Sequence, residues 1–313
     1  MAEQPGFGEG AAVRMRLLRL TASIAVLAVL FALMDTGAIF ARLRGADLGW
    51  LGMALGGLTV LTFLMAWRWQ MTANALDIEL RYPRAVREYY IAQLLNLVLP
   101  GGLVGDAARA ARLKAPRGLR QAAQSVIIER FIGQTTLFVL MFFGFLIAMF
   151  LPGGPDWPLW TWWFLAVGMV VAVLGWLYAR QKGVIARFLA TALDLMARPR
   201  QVVLSLTIAL LIIFNFYACA RATGTVLPAN TLFTLIPLIL TAMLVPLSVG
   251  GWGWREGAAA ALFPLAGEFP SAGVAASIAY GAMMLLAASP AAFLMMLHPG
   301  QTPGGKDGSA SMM

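Results

Sequence analysis

The sequence predicts an all-α polytopic membrane protein. It has about six full transmembrane helices plus two re-entrant broken helices, arranged as an inverted-topology repeat. Three observations carry this prediction. The chain is 60% hydrophobic and only 12% charged, whereas a soluble domain of this size needs about 25% charged residues to face water. Uncharged apolar runs of roughly 20 residues recur, each sufficient to cross a bilayer. Two further apolar stretches are interrupted by Pro and Gly. A β-barrel would instead show alternating polarity in segments of about ten residues, and none is visible.

Residues 1–13 are small and polar and read as a cytoplasmic tail, with Arg14, Arg16 and Arg19 marking the inner side. The apolar run that follows is long and lacks a clear small-residue cleavage site, so it reads as an anchor and not a removed signal peptide. The first span runs from about Leu20 to Ala41, with Asp35 towards its outer end and Arg42, Arg44 and Asp47 in a short outer loop. The second is Leu48 to Trp67, where Gly52 and Gly56 offer a small-residue face suited to close helix packing. Arg68, Arg81, Arg84 and Arg87 then place the chain inside.

The stretch Tyr89 to Arg120, YYIAQLLNLVLPGGLVGDAARAARLKAPRGLR, is the most informative. Pro removes a backbone donor and Gly weakens helix, so the helix is expected to break at Pro100-Gly101-Gly102 and restart after Gly105. A full crossing would leave Arg109, Arg112, Lys114, Arg117 and Arg120 outside, against the positive-inside rule. A re-entrant hairpin that enters from the cytoplasm and returns resolves the conflict. Irregular backbone at membrane depth is tolerated only where protein or a watery cavity covers it, which makes this stretch a candidate substrate site.

Glu129 and Arg130 open a third span, to Leu151. The outer turn PGGPDWP carries no positive charge, and Trp157, Trp160, Trp162 and Trp163 read as an interfacial aromatic belt. A fourth span covers Trp157 to Ala179. Arg180, Lys182, Arg187, Arg198 and Arg200 mark an inner loop whose middle, VIARFLATALDLMA, is amphipathic and suited to lie along the membrane surface. A fifth span is Gln201 to Ala220. Thr231 to Phe263 holds the second broken helix, interrupted by Pro237, Pro246, Gly250, Gly251 and Gly253. The last span is about Ser271 to Leu297. A single transmembrane domain thus occupies 14–298, followed by a flexible tail, 299–313.

Its halves, 14–151 and 157–297, share the order span, span, broken hairpin, span. Three full crossings are odd in number, so the second half starts on the opposite side. Paired Pro/Gly-interrupted segments at matching places are a pointer to a transporter's binding site.

Candidate binding residues cluster at the breaks: Asn96, Gly101, Gly102, Asp106, Arg109, Glu129, Arg130, Gly251, Trp252, Arg255 and Glu256. Asp106 is placed to N-cap the restarting helix. Arg109 and Arg112 follow at three-residue spacing, near one face. A helix N-terminus with two guanidiniums suits a phosphate oxyanion, while plain inner-side anchoring explains the same arginines. Glu129 is either the partner of Arg109, Arg112 or Arg255, or a carrier of a coupling proton. Arg255-Glu256 poses the same choice, with a buried pair favoured. Trp252 and Trp254 either stack on a headgroup or anchor at the interface, the second being favoured. Gln93 and Asn96 line the cavity or bond a neighbouring helix.

Enzyme signatures are thin. The lone His298 is incidental, no His/Cys metal cluster exists, and no GxSxG or GKS/T motif appears. Asp77-Ile78-Glu79 faintly suggests the paired acids of metal-dependent sugar transferases and reads better as a solvated face. No cofactor and no catalytic or metal-ligating residue is assigned. The net charge of +9 follows from topology and favours anionic lipid at the cytoplasmic face. No separate basic domain exists to bind nucleic acid. With a single cysteine, Cys219, no intramolecular disulfide is possible.

Three blocks carry a family resemblance: LPGGLVGDAARAARL, VIIERFIG and PLSVGGWGWREGAAAALF. In this order they resemble the signature blocks of the lysylphosphatidylglycerol synthase/flippase transmembrane family, the membrane domain at the N-terminus of the multiple peptide resistance factor. The likeness covers about Leu17 to Leu297. It implies movement of phospholipid or lipid-linked headgroups between leaflets; the expected location is a bacterial inner membrane, and the charge pattern and span order put both termini on the cytoplasmic side. It carries over Glu129 and Arg130 from the second block and Arg255 and Glu256 from the third; Trp252 and Trp254 are less typical. No soluble aminoacyl-transferase domain follows the last span, so synthesis of lysylphosphatidylglycerol is not expected. The expected partners are a membrane phospholipid or lipid-linked substrate, and lipid-synthesis enzymes. The alternatives are a membrane-embedded lipid-linked transferase and a non-transporting scaffold of a lipid-synthesis complex, for instance in hopanoid synthesis.

Overall fold

A computed structural model describes residues 34–99, 102–113, 115–150, 160–244 and 249–296, with isolated positions 21, 28 and 32. Every regular element among them is helical. In chain order these are α1 (Thr36–Arg44), α2 (Leu48–Asn74), α3 (Tyr82–Val98), α4 (Val104–Arg112), α5 (Leu119–Phe150), α6 (Trp160–Ala179), α7 (Val184–Ala197) and α8 (Pro199–Ala222). They continue with α9 (Ala229–Thr241), α10 (Trp254–Leu262), α11 (Pro270–Ala288) and α12 (Pro290–Met296).

Five helices are long and apolar enough to cross a membrane: Leu48–Asn74, Leu119–Met149, Thr161–Ala179, Pro199–Ala222 and Pro270–Met296. They coincide with five of the six expected spans. Most of the other, Leu20 to Ala41, lies outside the described residues, as do both expected tails and the PGGPDWP turn. Where that segment is described, the chain is not one continuous helix. Asp35 is extended, and its carboxylate accepts the Ala38 N–H at 3.0 Å, starting α1 afresh. Because α1 runs on to Arg44, Arg42 and Arg44 sit on its last turn and not in a loop. Arginine at that position complements the partial negative charge of a helix C-terminus. The third span is likewise longer than expected, because α5 begins at Leu119 and carries Glu129 ten residues inside it.

Helices α2 and α8 form the densest part of the core. They share the cluster of Ala54, Leu58, Leu61, Ile208, Ile213 and Phe216, which also takes in Ile236, Phe263 and Ala276 of the second half. They interlock at Gly57, where a Cβ would overlap the buried Asn215 amide. The expected small-residue face is different: Gly52 and Gly56 are exposed and face open space. Small residues matter where helices touch, and the contact side of α2 is one position further round.

Two helical hairpins pack against this core from opposite ends. In the first, α3 ends where Leu99 turns extended (φ −92°, ψ 143°) before Pro100, as a pre-proline residue must. Gly102 takes a left-handed φ of +61° and α4 runs back along α3. Gly105 permits this return, since a Cβ there would overlap the Ala92 carbonyl oxygen. Both open ends of the hairpin meet the α2–α3 connection, through the cluster of Ile78, Leu80, Ala85 and Leu113. In the second, α9 starts just beyond α8 and α10 returns to pack Ala260 with Ile39, Val274 and Ala275. That is the other end of the bundle, where Asp47 N–H donates to the Ala222 carbonyl at 2.9 Å.

The hairpin tips meet. Val249-Gly250-Gly251-Trp252 is a tight turn closed by the Trp252 N–H to the Val249 carbonyl at 3.0 Å, with φ of +56° and +84° at its two glycines. Only glycine adopts such angles cheaply. A Cβ on Gly250 would lie 2.6 Å from the Leu97 carbonyl oxygen, so the two backbones come together here.

Replacing Gly57 by Val should lower stability by about 1–3 kcal/mol through overpacking. Gly52→Val should leave it unchanged, because nothing lies within 4 Å of that position. Thermal unfolding of the two variants in detergent checks the difference.

Candidate functional site

Beside the α3–α4 hairpin, two guanidiniums converge on a fully buried carboxylate. Glu129 of α5 accepts Arg68 Nη2 at 2.6 Å and Nε at 3.1 Å on Oε1, and Arg109 Nη2 at 2.9 Å on Oε2. Tyr89 adds its hydroxyl to Oε1 at 3.4 Å. The Arg109 guanidinium lies between two aromatic faces, 4.7 Å from the Trp69 ring and 4.6 Å from the Tyr89 ring. Stacking of this kind suits the weakly hydrated, planar guanidinium. Arg68 occupies space left by Gly133, where a Cβ would come within 2.6 Å of its Nη2.

Asp106 extends the network. Its carboxylate is ion-paired with Arg130 and lies 2.9 Å from Arg109 Nε, an ion pair whose angle is too poor for a hydrogen bond. Asp106 is therefore not the N-cap of α4. That position is Leu103, and Asp106 lies three residues further on, in the first turn. Asn96 does the local tethering instead. Its Oδ1 accepts the Gly105 N–H at 2.7 Å, and its Nδ2 donates to Asp106 at 3.2 Å. Gln93 accepts Thr62 Oγ1 at 3.0 Å and so joins α3 to α2.

The charges do not balance. Arg68, Arg109 and Arg130 face Asp106 and Glu129, which leaves one positive charge over. Among the buried atoms, Arg68 Nη1 and Arg109 Nη1 have no hydrogen-bond partner. A buried guanidinium N–H left unpaired is costly, so this cluster has spare donors and no spare acceptor of comparable strength. Of the three partners foreseen for Glu129, only Arg109 is engaged. Arg112 pairs with Glu88 at 2.6 Å, and Arg255 is elsewhere.

The second cluster belongs to α10 and α11. Arg255 and Glu256 are fully buried and paired at 2.7 Å. Ser277 bridges them, accepting Arg255 Nε and donating to Glu256 Oε1, each at 2.8 Å. Glu256 Oε2 accepts the Gly253 N–H at 2.7 Å, which satisfies a free donor at the start of α10. Trp252 is partly buried. It packs over Arg255 at 5.2 Å and against Gly281, where a Cβ would come within 2.7 Å of its ring. Trp254 is also partly buried, and its indole Nε1 has no partner.

Asn96, Asp106, Arg109, Glu129 and Arg130 thus share one network, and Trp252, Arg255 and Glu256 another. Gly102 and Gly251 lie in the two turns, whereas Gly101 is outside the described residues. Sequence reading missed Arg68, Trp69 and Tyr89. A signal for Arg68 existed: the residues after it, WQMTANAL, hold neither charge nor breaker, so helix continues past it and buries it. Asp77 and Glu79 are exposed, and Asp77 pairs with Arg117 at 3.6 Å. Among the described residues no His/Cys/Asp/Glu group has the arrangement of a metal site.

Residues 16–292 match the family described as the lysylphosphatidylglycerol synthase TM region. The chain belongs to this family. Its blocks map onto the geometry: the first spans the α3–α4 turn and the Arg109 helix, the second supplies Glu129 and Arg130, and the third forms the other hairpin's tip and the Arg255–Glu256 pair. No curated protein matches the chain. As a lysylphosphatidylglycerol synthase TM-region protein with five membrane-length helices, it has a membrane-embedded, lipid-related function.

Glu129→Ala leaves Arg68 and Arg109 buried without their carboxylate and should cost about 3–5 kcal/mol. Arg130→Gln, at a half-exposed ion pair, should cost at most about 1 kcal/mol. Chemical denaturation followed by circular dichroism separates the two.

Proposed function

We propose that the protein is a multi-pass inner-membrane lipid translocase of flippase or scramblase type, handling phospholipid or lipid-linked headgroups. The observation that carries the reading is the surplus of buried guanidinium donors around Glu129, against the α3–α4 hairpin. A phosphodiester offers what that cluster lacks, a compact anion with several acceptor oxygens. In this reading α3–α4 and α9–α10 are re-entrant. They enter from the cytoplasmic and outer sides, respectively, as the paired elements of an inverted repeat.

The headgroup passes between the tips while its acyl chains stay in lipid. Arg68 and Glu129 hold Arg109 in place, Arg109 and Arg130 attract the phosphate, and Asp106 releases Arg130 as the anion approaches. Arg255 and Glu256 brace the opposite hairpin, and glycines keep the turns narrow. Both termini are cytoplasmic, and anionic lipid collects at the arginine-rich face. Support comes from the family membership, the two hairpins approaching from opposite ends, and the burial of charge against the first of them. The Asp77–Glu79 pair, on which a metal-dependent transferase reading would depend, is exposed, and Asp77 faces Arg117.

Proteoliposomes with fluorescent phospholipid test the reading. Wild type should move label between leaflets faster than empty vesicles, and Arg109→Lys, which loses the planar fork, should slow this at least about tenfold. Equal rates for wild type and empty vesicles would refute it. Topology has a separate check. In a Cys219→Ala background, Ala115→Cys should react with an impermeant thiol reagent only from the cytoplasmic side; labelling from outside would exclude the re-entrant path.

A further inference from the structure

At the end of the bundle opposite the arginine-rich loops, a cleft of about 510 Å³ opens between the α1–α2 and α8–α9 connections. Arg42, Asp47, Trp50, Arg221, Thr223 and Gly224 line it. Arg42 reaches across from α1, and its Nη1 donates to the Thr223 carbonyl at 3.3 Å and to Thr225 Oγ1 at 3.2 Å. That tether fixes the guanidinium and leaves its other edge for a ligand. Among the described residues the Arg221 guanidinium makes no hydrogen bond, and it lies 5.1 Å over the Trp50 ring, which holds its plane without neutralising it.

Among the described residues, neither arginine pairs with a carboxylate. The one acid in the lining is already engaged: Asp47 Oδ1 accepts the Gly49 N–H at 2.7 Å and the Trp50 N–H at 3.1 Å, capping α2. Complementing helix C-termini explains why arginine stands at the ends of α1 and α8. It does not explain why residues from two distant segments are brought to one polar cleft with an aromatic wall.

We propose that this cleft is a second anion site, for a phosphate monoester or diester group, separate from the Glu129 cluster. Two guanidiniums converge, one fixed by backbone and hydroxyl and one by an aromatic face. A phosphate bridging them accepts from both, as guanidinium–phosphate recognition favours. The inference does not depend on lipid translocation, since no residue of the Glu129 cluster takes part. The phosphate comes either from a lipid headgroup or from free phosphate in the adjoining water.

The test uses the full chain in dodecyl maltoside, a detergent without phosphate, titrated calorimetrically with soluble dihexanoyl phosphatidic acid and, separately, with inorganic phosphate. Arg221→Gln removes one cation without removing a hydrogen bond and should weaken phosphatidic acid binding at least about tenfold. Arg44→Gln, an exposed arginine outside the lining, should bind as wild type does. A second variant leaves both arginines in place. Gly224→Asp puts a carboxylate at the rim, at a position with open space and a left-handed φ of +81° that Asp tolerates better than most residues, and it should abolish binding. Competition by inorganic phosphate supports the site with free anion as ligand; its failure to compete supports the site with the headgroup as ligand. No binding of either probe, or Arg221→Gln and Gly224→Asp binding like wild type, overturns the proposal. Loss of binding here with lipid movement intact would leave the translocase reading standing, and the reverse result would separate them the other way.

Discussion

The buried carboxylate of Glu129 is the constraint on which the first half of the molecule turns. A lone carboxylate in so apolar a setting is too costly to keep charged. It persists because Arg68 from α2 and Arg109 from α4 converge on its two oxygens. That convergence fixes α2, α4 and α5 relative to one another, and Tyr89 adds α3. Buried ion pairs are weak sources of net stability. Their consequence here is arrangement: the hairpin has one seat in which three helices satisfy the same group.

The second half reaches a comparable end by other means. Its charge pair is made within α10 and closed by Ser277, with no donors from distant helices beyond that hydroxyl. The first cluster is therefore the open one, with spare N–H groups, and the second the closed one. Between them the backbones approach so tightly at Gly250 and Leu97 that no side chain fits. An asymmetric pair of this kind leaves one hairpin with spare guanidinium donors and the other with its charges satisfied.

Much of the fold was legible because bilayer physics writes it in long strokes. Uncharged runs announced the helices at Leu48, Gln201 and Ser271, and Pro100 with its glycines announced the first break. What stayed hidden depended on tertiary contacts. Gly57 outranks the more conspicuous Gly52 and Gly56 because Asn215 happens to face it. Arg68 looked like a topological marker since nothing in its neighbours reveals Glu129, 61 residues away. Asp106 resembled a cap, yet the helix starts three residues earlier and turns its carboxylate to Arg130 and Asn96. Trp252 reads from sequence as an interfacial residue, and the sequence gives no sign that Arg255 lies over its ring and Gly281 at its edge.

The central claim is that a lipid headgroup passes between the two hairpin tips, past Arg109. The most direct measurement is photo-crosslinking in proteoliposomes with a phospholipid carrying a photoreactive group on its headgroup, followed by mass-spectrometric mapping of the adducts. The account predicts adducts on the tips and their first helical turns, 96–109 and 249–256. Adducts confined to lipid-facing surfaces such as Trp160–Ala179, with none on either tip, would contradict it.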